Sequence, residues 1–189
     1  MKTLIYGFIF SLCFCIIANS SDVISDIENH WNQINTMSGK FKQKDPDGIT
    51  SYGNFYFLKP YKSKFVYNDG RENIITNENL LIIVDDEGYK IDSYSIGNNI
   101  LKKLLANEFS IDHQFDFINL NTSLDEHILE LKIKNDDDNQ LIISFDKHNF
   151  DIKKWEIYDE FQNKTVLEFT KIKKNIFISQ NLFVVKYKL

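Results

Sequence analysis

The sequence predicts a mainly β protein with a few helices (α+β), built as a strongly twisted or nearly closed antiparallel sheet. Three observations carry that prediction. Aromatic residues recur at alternate positions between Met37 and Tyr67, the period of a strand with one apolar face. Short clusters of Asp, Asn and Gly interrupt the chain every few residues and read as hairpin turns. A helical period appears in only two places, once before the first strand and once midway along the chain.

The elements follow in order. Lys2 supplies a positive start, Leu4 to Ile17 an uncharged apolar run, and Ala18, Asn19 and Ser20 a small-x-small cleavage pattern, so residues 1–20 read as a secretory signal peptide cut after Ser20. That run is shorter than the roughly 20 apolar residues a membrane span needs. Cys13 and Cys15 follow Leu12 and Phe14, where lipoprotein processing wants a small residue. From Asp22 to Thr36, Val23, Ile27, Trp31 and Ile34 share one face of a helix capped by Ser21 or Asp22. Six strands are expected next: Gly39 to Lys44, Ser51 to Leu58, Ser63 to Tyr67, Asn73 to Thr76, Leu80 to Val84 and Tyr89 to Ser95.

Between Asn98 and Leu120 the period changes. Ile100, Leu101, Leu104 and Leu105 form the stripe of a short amphipathic helix able to lie over an apolar face, and Phe109, Phe115 and Phe117 add apolar bulk behind it. Four strands then run from His127 to Lys134, Gln140 to Asp146, Ile152 to Asp159 and Thr165 to Lys173, with polar turns between them, one at Asn135 to Asn139. The residues from Asn175 on are extended or irregular.

Composition narrows the function. Both cysteines fall in the expected leader, so the mature chain, residues 21–189, has no disulfide and no cysteine-ligated metal, and must be stabilised by packing as a single domain. The formal net charge is −5 with acid and base interspersed, which offers no basic field to nucleic acid. His30, His113, His127 and His148 show no metal-ligand spacing and read as solvated; no serine sits in a nucleophile elbow. The acidic groups Asp85 to Glu87 and Asp136 to Asp138 sit at expected turns. No general acid or base stands out, no cofactor or metal is implied, and the chain does not read as an enzyme.

Alternation within each strand assembles one apolar face from Phe41, Phe55, Phe57, Phe65, Tyr67, Phe145, Trp155, Ile157, Leu167 and Phe169. Periodicity alone leaves open whether that face is packed solid, as in a β-rich interaction module, or left hollow for an apolar ligand.

Gly39–Gln43 (GKFKQ), Gly53–Pro60 (GNFYFLKP) and Lys64–Tyr67 (KFVY) resemble the opening strands of the outer-membrane lipoprotein carrier family, LolA. Ile100 to Leu105 falls where that family has its lid helix, Trp155–Asp159 (WEIYD) where it has W-x-[IV]-x-D, and Asn181–Phe183 (NLF) where it closes. The resemblance implies an unclosed antiparallel β-barrel around a hydrophobic cavity, covered by an N-terminal helix and a helical lid. It also implies a monomeric periplasmic carrier of acylated lipoproteins, loaded by an inner-membrane lipoprotein-releasing ABC transporter and unloaded by an outer-membrane receptor. A lipid-binding or sensor protein of the same fold is the alternative.

Some positions depart from the family pattern. Lys59 stands before Pro60, where many members carry an arginine that latches the lid, and an ammonium lacks the planar fork of donors. Ser63 replaces an aromatic, and Ile82 and Val84 stand where the family has Trp and Tyr, which on this reading leaves that part of the cavity wall less aromatic.

Overall fold

The computed structural model describes residues 20–70, 72–95, 100–134, 136–159 and 161–188. The expected leader up to residue 19 and the side chains of Asp136 to Asp138 lie outside the described set. Helix α1 (Ser20–Asn32) leads into strands β1 (Thr36–Lys44), β2 (Thr50–Leu58), β3 (Lys62–Tyr67), β4 (Asn73–Asn77), β5 (Leu80–Val84) and β6 (Lys90–Ser95). Two short helices, α2 (Ile100–Leu104) and α3 (Ile111–Gln114), cross to β7 (Phe115–Thr122), β8 (Glu126–Ile133), β9 (Asp136–Asp146), β10 (Ile152–Tyr158) and β11 (Lys164–Lys174). The helix starts at Ser20, so Ser21 and Asp22 stand in its first turn, and it ends before Ile34, which is buried all the same.

All eleven strands join one sheet in the order β6-β5-β4-β3-β2-β1-β11-β10-β9-β8-β7, every pair antiparallel. Two hairpin meanders are therefore fused through β1 and β11. Among the described residues β6 and β7 end the order and do not pair with each other, so the sheet curls without closing into a barrel. The crossover holding α2 and α3 links those two edges.

Most expected strands appear within two residues of their predicted ends; β7 and the start of β9 were missed. The alternation of β7 is invisible in sequence because it is an edge strand: Phe115 is buried, while Phe117 and Ile118 are 44% exposed. The expected turn at Asn135 to Asn139 is strand from Asp136 on. The hairpins themselves follow local chemistry. Asp45, Asp85 and Asp159 each use a carboxylate oxygen to accept the amide of the residue four positions on, Ile49, Tyr89 and Asn163, at 2.8 Å. The Asp85 to Glu87 acids are thus parts of a turn.

Side-chain period two divides the sheet into a concave and a convex face. Phe55, Phe65, Ile74 and Ile83 lie in register across β2 to β5 on the concave side. Tyr56, Lys64, Ile75 and Ile82 lie in register on the convex side. There Ile75, Ile82 and Val84 form a second, smaller core under Phe183, where the tail, with a 3₁₀ turn at Gln180–Phe183, folds over the back of the sheet. Ile82 and Val84 are therefore no part of a cavity wall, which corrects the expectation; β5 offers Leu81 and Ile83 to the concave side instead. Ser63 is fully buried on the concave row and exchanges a hydroxyl hydrogen bond with Thr76.

The two motif glycines have a shared cause. Gly39 pairs with Phe55, and Phe41 pairs with Gly53, so each phenyl ring lies across the partner strand's glycine. A Cβ on Gly39 would stand 2.8 Å from the Phe55 ring and 2.7 Å from the Thr170 carbonyl oxygen; on Gly53 it would stand 2.6 Å from the Phe41 ring and 2.1 Å from the Val66 oxygen. Neither backbone oxygen can move aside cheaply. Gly70 has no atom near its missing Cβ, and only its φ of +75° favours glycine. Gly53→Ala is expected to cost about 3 kcal/mol or more in urea unfolding, and Gly70→Ala about 1–2 kcal/mol. Equal, small losses would mean that ring-over-glycine packing does not shape the sheet.

Candidate functional site

Helix α1 sits against the open side of the sheet with Ile27 and Trp31 in the core, and the polar groups of its other turns hold the crossover. The Trp31 indole N–H donates to the Leu104 carbonyl at 2.7 Å. Asn32 donates to the Phe109 carbonyl at 2.9 Å and accepts the Phe109 amide at 2.8 Å; Glu28 accepts the Ile111 amide at 2.6 Å. The Tyr61 amide reaches the Leu105 carbonyl at 2.7 Å. The carbonyls at the end of α2, which a helix cannot satisfy itself, are thus taken by α1 and by the β2–β3 turn.

Ile100, Leu104 and Leu105 are buried in the main core, and Leu101 is half-buried. Sequence reasoning put Trp31 on an apolar stripe and missed its second role. The available signal was general: a buried indole seeks an acceptor.

Among the described residues Lys59 makes its hydrogen bond to α1 and none to α2. Its ammonium donates to the Trp31 carbonyl at 2.7 Å and lies 5.2 Å from the Trp31 ring centroid. Lys59, at the position of the family's latch, thus bonds to the residue that binds the end of α2. Burial pushes its pKa down from 10.5 to about 8.

The ten residues expected on one apolar face do share the concave face, and they divide there. Phe41, Phe55, Phe57, Phe145 and Phe169 are at most 5% exposed and are packed into a solid core. Phe57 stacks on Trp155 with centroids 5.6 Å apart and planes 7° from parallel, and Phe169 meets Trp155 edge to face at 4.7 Å. Phe65, Tyr67, Trp155, Ile157 and Leu167 line a cavity of about 220 Å³, roofed by Leu101 and completed by Ile74 and Leu81. The face is filled in one half and hollow in the other.

Charge is missing from this lining, whose polar groups belong to Gln43, Tyr67, Trp155 and Thr165, and Gln43 already accepts the Tyr67 hydroxyl at 2.8 Å. Among the described residues two buried side-chain polar atoms have no partner, the Ser144 hydroxyl and the Trp155 indole N–H. Only Trp155 lines the cavity. An unpaired buried donor costs about 1–3 kcal/mol.

Among the described residues no group of three or more His, Cys, Asp or Glu is placed to hold a metal. Two of the histidines expected at the surface are structural instead. His127 is buried, 2.9 Å from the Thr122 hydroxyl, and stacks on Phe150 at 5.5 Å. His30 is half-buried 3.2 Å from Asp151, and burial, aided by Lys174, lowers its pKa despite that carboxylate.

Two solved structures share the fold. An uncharacterised conserved protein from Thermus thermophilus aligns with a TM-score of 0.51 and 9% identity over 90% of this chain and 100% of its own. A Pseudomonas aeruginosa MucA/MucB complex structure aligns with a TM-score of 0.51 and 10% identity over 89% of this chain, which spans 62% of the matched chain. In sequence, the chain is 29% identical to outer-membrane lipoprotein carrier proteins of Francisella tularensis subsp. novicida (strain U112) and subsp. tularensis (strain SCHU S4), over 97% of its own length and 92% of theirs. The family model for the outer membrane lipoprotein carrier protein LolA matches residues 32–186, from the end of α1 through the tail. With an open antiparallel sheet curled over an apolar cavity and roofed by helices, the chain belongs to the LolA family.

Proposed function

We propose that the protein is a periplasmic carrier that shelters the acyl chains of lipoproteins in the cavity under α2. Residues 1–20 would direct export and be removed, leaving residues 21–189 as one monomeric carrier domain. An inner-membrane lipoprotein-releasing ABC transporter would load it and an outer-membrane receptor would unload it. The family is non-catalytic, in keeping with a role that needs no chemistry. The observation that carries the reading is the uncharged cavity beneath a helix.

Its physical logic is simple. Each methylene taken from water is worth about 0.8 kcal/mol, so a bare C16 chain costs on the order of 12 kcal/mol to expose. A shuttle must hide that chain and still let it go. Largely apolar walls without charge bind mainly by area, and their grip weakens as soon as the area is uncovered. At about 220 Å³ the cavity is smaller than the roughly 300–1,000 Å³ of ordinary ligand pockets, so loading would widen it by lifting α2. The contacts that hold α2 down are a few hydrogen bonds, each worth about 1 kcal/mol net, and the buried side chains of Ile100 and Leu104, each worth about 1.5–3 kcal/mol.

Lysine scanning with a fluorescent C16 acyl probe tests the carrier reading. Ile157 is half-buried at the cavity wall, so Ile157→Lys is expected to keep the fold and weaken acyl binding at least about tenfold. Phe57, fully packed among rings, is expected to unfold the protein as Phe57→Lys. An Ile157→Lys variant that folds and binds the probe normally would remove the cavity from the mechanism.

Exchange of the Tyr61 amide with solvent reports lid opening, because that amide bonds to Leu105. Trp31→Phe, which loses the bond to Leu104, is expected to speed Tyr61 exchange about fivefold, and Lys59→Met by less. Faster exchange in the lysine variant than in the tryptophan variant would return the latch to Lys59.

The Lys59 pKa makes a prediction of its own. Below about pH 8 the ammonium is present in both folded and unfolded chains, and the cost of burying it is fully felt. Between about 8 and 10.5 the unfolded chain binds more protons than the folded one, so stability due to this residue rises with pH. Unfolding curves of wild type and Lys59→Met across that window should diverge upward for the wild type; parallel curves would show that Lys59 titrates normally.

A further inference from the structure

The protein has two tryptophans, and their indole N–H groups have opposite fates. Trp31 donates to a carbonyl; Trp155, fully buried, has no acceptor among the described residues. Phe57 stacks on its ring and Phe169 meets it edge to face, and neither supplies a lone pair for a full hydrogen bond. The polar side chains of the cavity wall, Gln43, Tyr67 and Thr165, make no hydrogen bond with it. A residue with an unpaired donor therefore stands in the wall of the apolar cavity that the proposed cargo would enter.

We propose that the Trp155 indole N–H donates to the carbonyl oxygen at the head of an acyl chain, an ester or an amide, and so selects acylated cargo over plain hydrocarbon. The inference rests on the carrier reading and adds the ligand's chemistry to it. The carbonyl is the strong acceptor that an acyl ester or amide carries and an alkyl ether lacks. A free fatty acid is disfavoured for a different reason: no Lys or Arg lines the cavity, so its carboxylate would be buried without a counter-ion. The same N–H becomes satisfied when cargo enters, so loading removes a defect of the empty form.

Three C16 probes of equal length separate the possibilities: a glycerol acyl ester, the glycerol alkyl ether, and palmitate. Delipidated wild type should bind the ester about 3–10-fold more tightly than the ether, with palmitate at pH 8 weaker than the ester. Trp155→Phe should bind ester and ether alike, at the ether's affinity. With only two indole N–H resonances in the ¹⁵N spectrum, wild type gives an independent reading: the Trp155 signal should move downfield with the ester and stay in place with the ether. That reading holds even if the phenylalanine variant fails to fold. Equal affinity for ester and ether with an unmoved indole signal would overturn the inference and leave the cavity's carrier role standing. Failure to bind any of the three would overturn both.

Discussion

The shape of the protein depends on two phenyl rings lying across two glycines. Phe55 over Gly39 and Phe41 over Gly53 bring aromatic mass flat onto the inner surface of β1 and β2, where any side chain would collide with a ring and a backbone oxygen. The next rings then stack on these: Phe65 and Tyr67 meet Phe41 edge to face at 5.4 and 5.1 Å, and Phe57 and Phe169 flank Phe55. Packing on one face of a sheet at this density favours strong curvature there. The concave face, its apolar lining and its need for a cover all follow.

That cover comes from where the sheet is open. Because β6 and β7 do not meet, the chain linking them can cross the mouth, and α1 holds it there through Trp31, Asn32 and Glu28. A closed barrel would leave no such opening. The polar groups of α1 are spent on backbone amides and carbonyls of the crossover, so the lid is fixed in position by bonds that are individually weak while the apolar side of the helix stays in the core.

The concave face serves two ends by being filled unevenly. Around Phe55, Phe57 and Phe169 the rings interlock and supply the core that a chain with no thiol after Cys15 requires. Toward β3 to β5 the side chains shorten to Ile74 and Leu81, and the space between them and Ile157 remains open. The buried Ser63–Thr76 hydroxyl pair sits on the same row, where an aromatic side chain would fill part of that space.

Sequence by itself determined what local physics controls. Period-two apolar patterning located ten of the eleven strands, Asp and Gly placed the hairpins, and the stripe at Ile100, Leu101, Leu104 and Leu105 marked the helix that crosses the mouth, since these depend on neighbours a few residues away. The edge strand β7 escaped because most of its residues, Phe117 and Ile118 among them, are exposed, leaving no alternation to read. Tertiary structure alone decided which apolar residues meet. Ile82 and Val84 look like cavity residues until strand register turns them to the convex face beneath Phe183. Lys59 meets Trp31, which binds the end of α2, only once folding brings them together, and Trp155 resembles the other core aromatics until the packing around it leaves its N–H without an acceptor. Register, long-range hydrogen bonding and unfilled volume arise between segments far apart in the chain, and no local pattern encodes them.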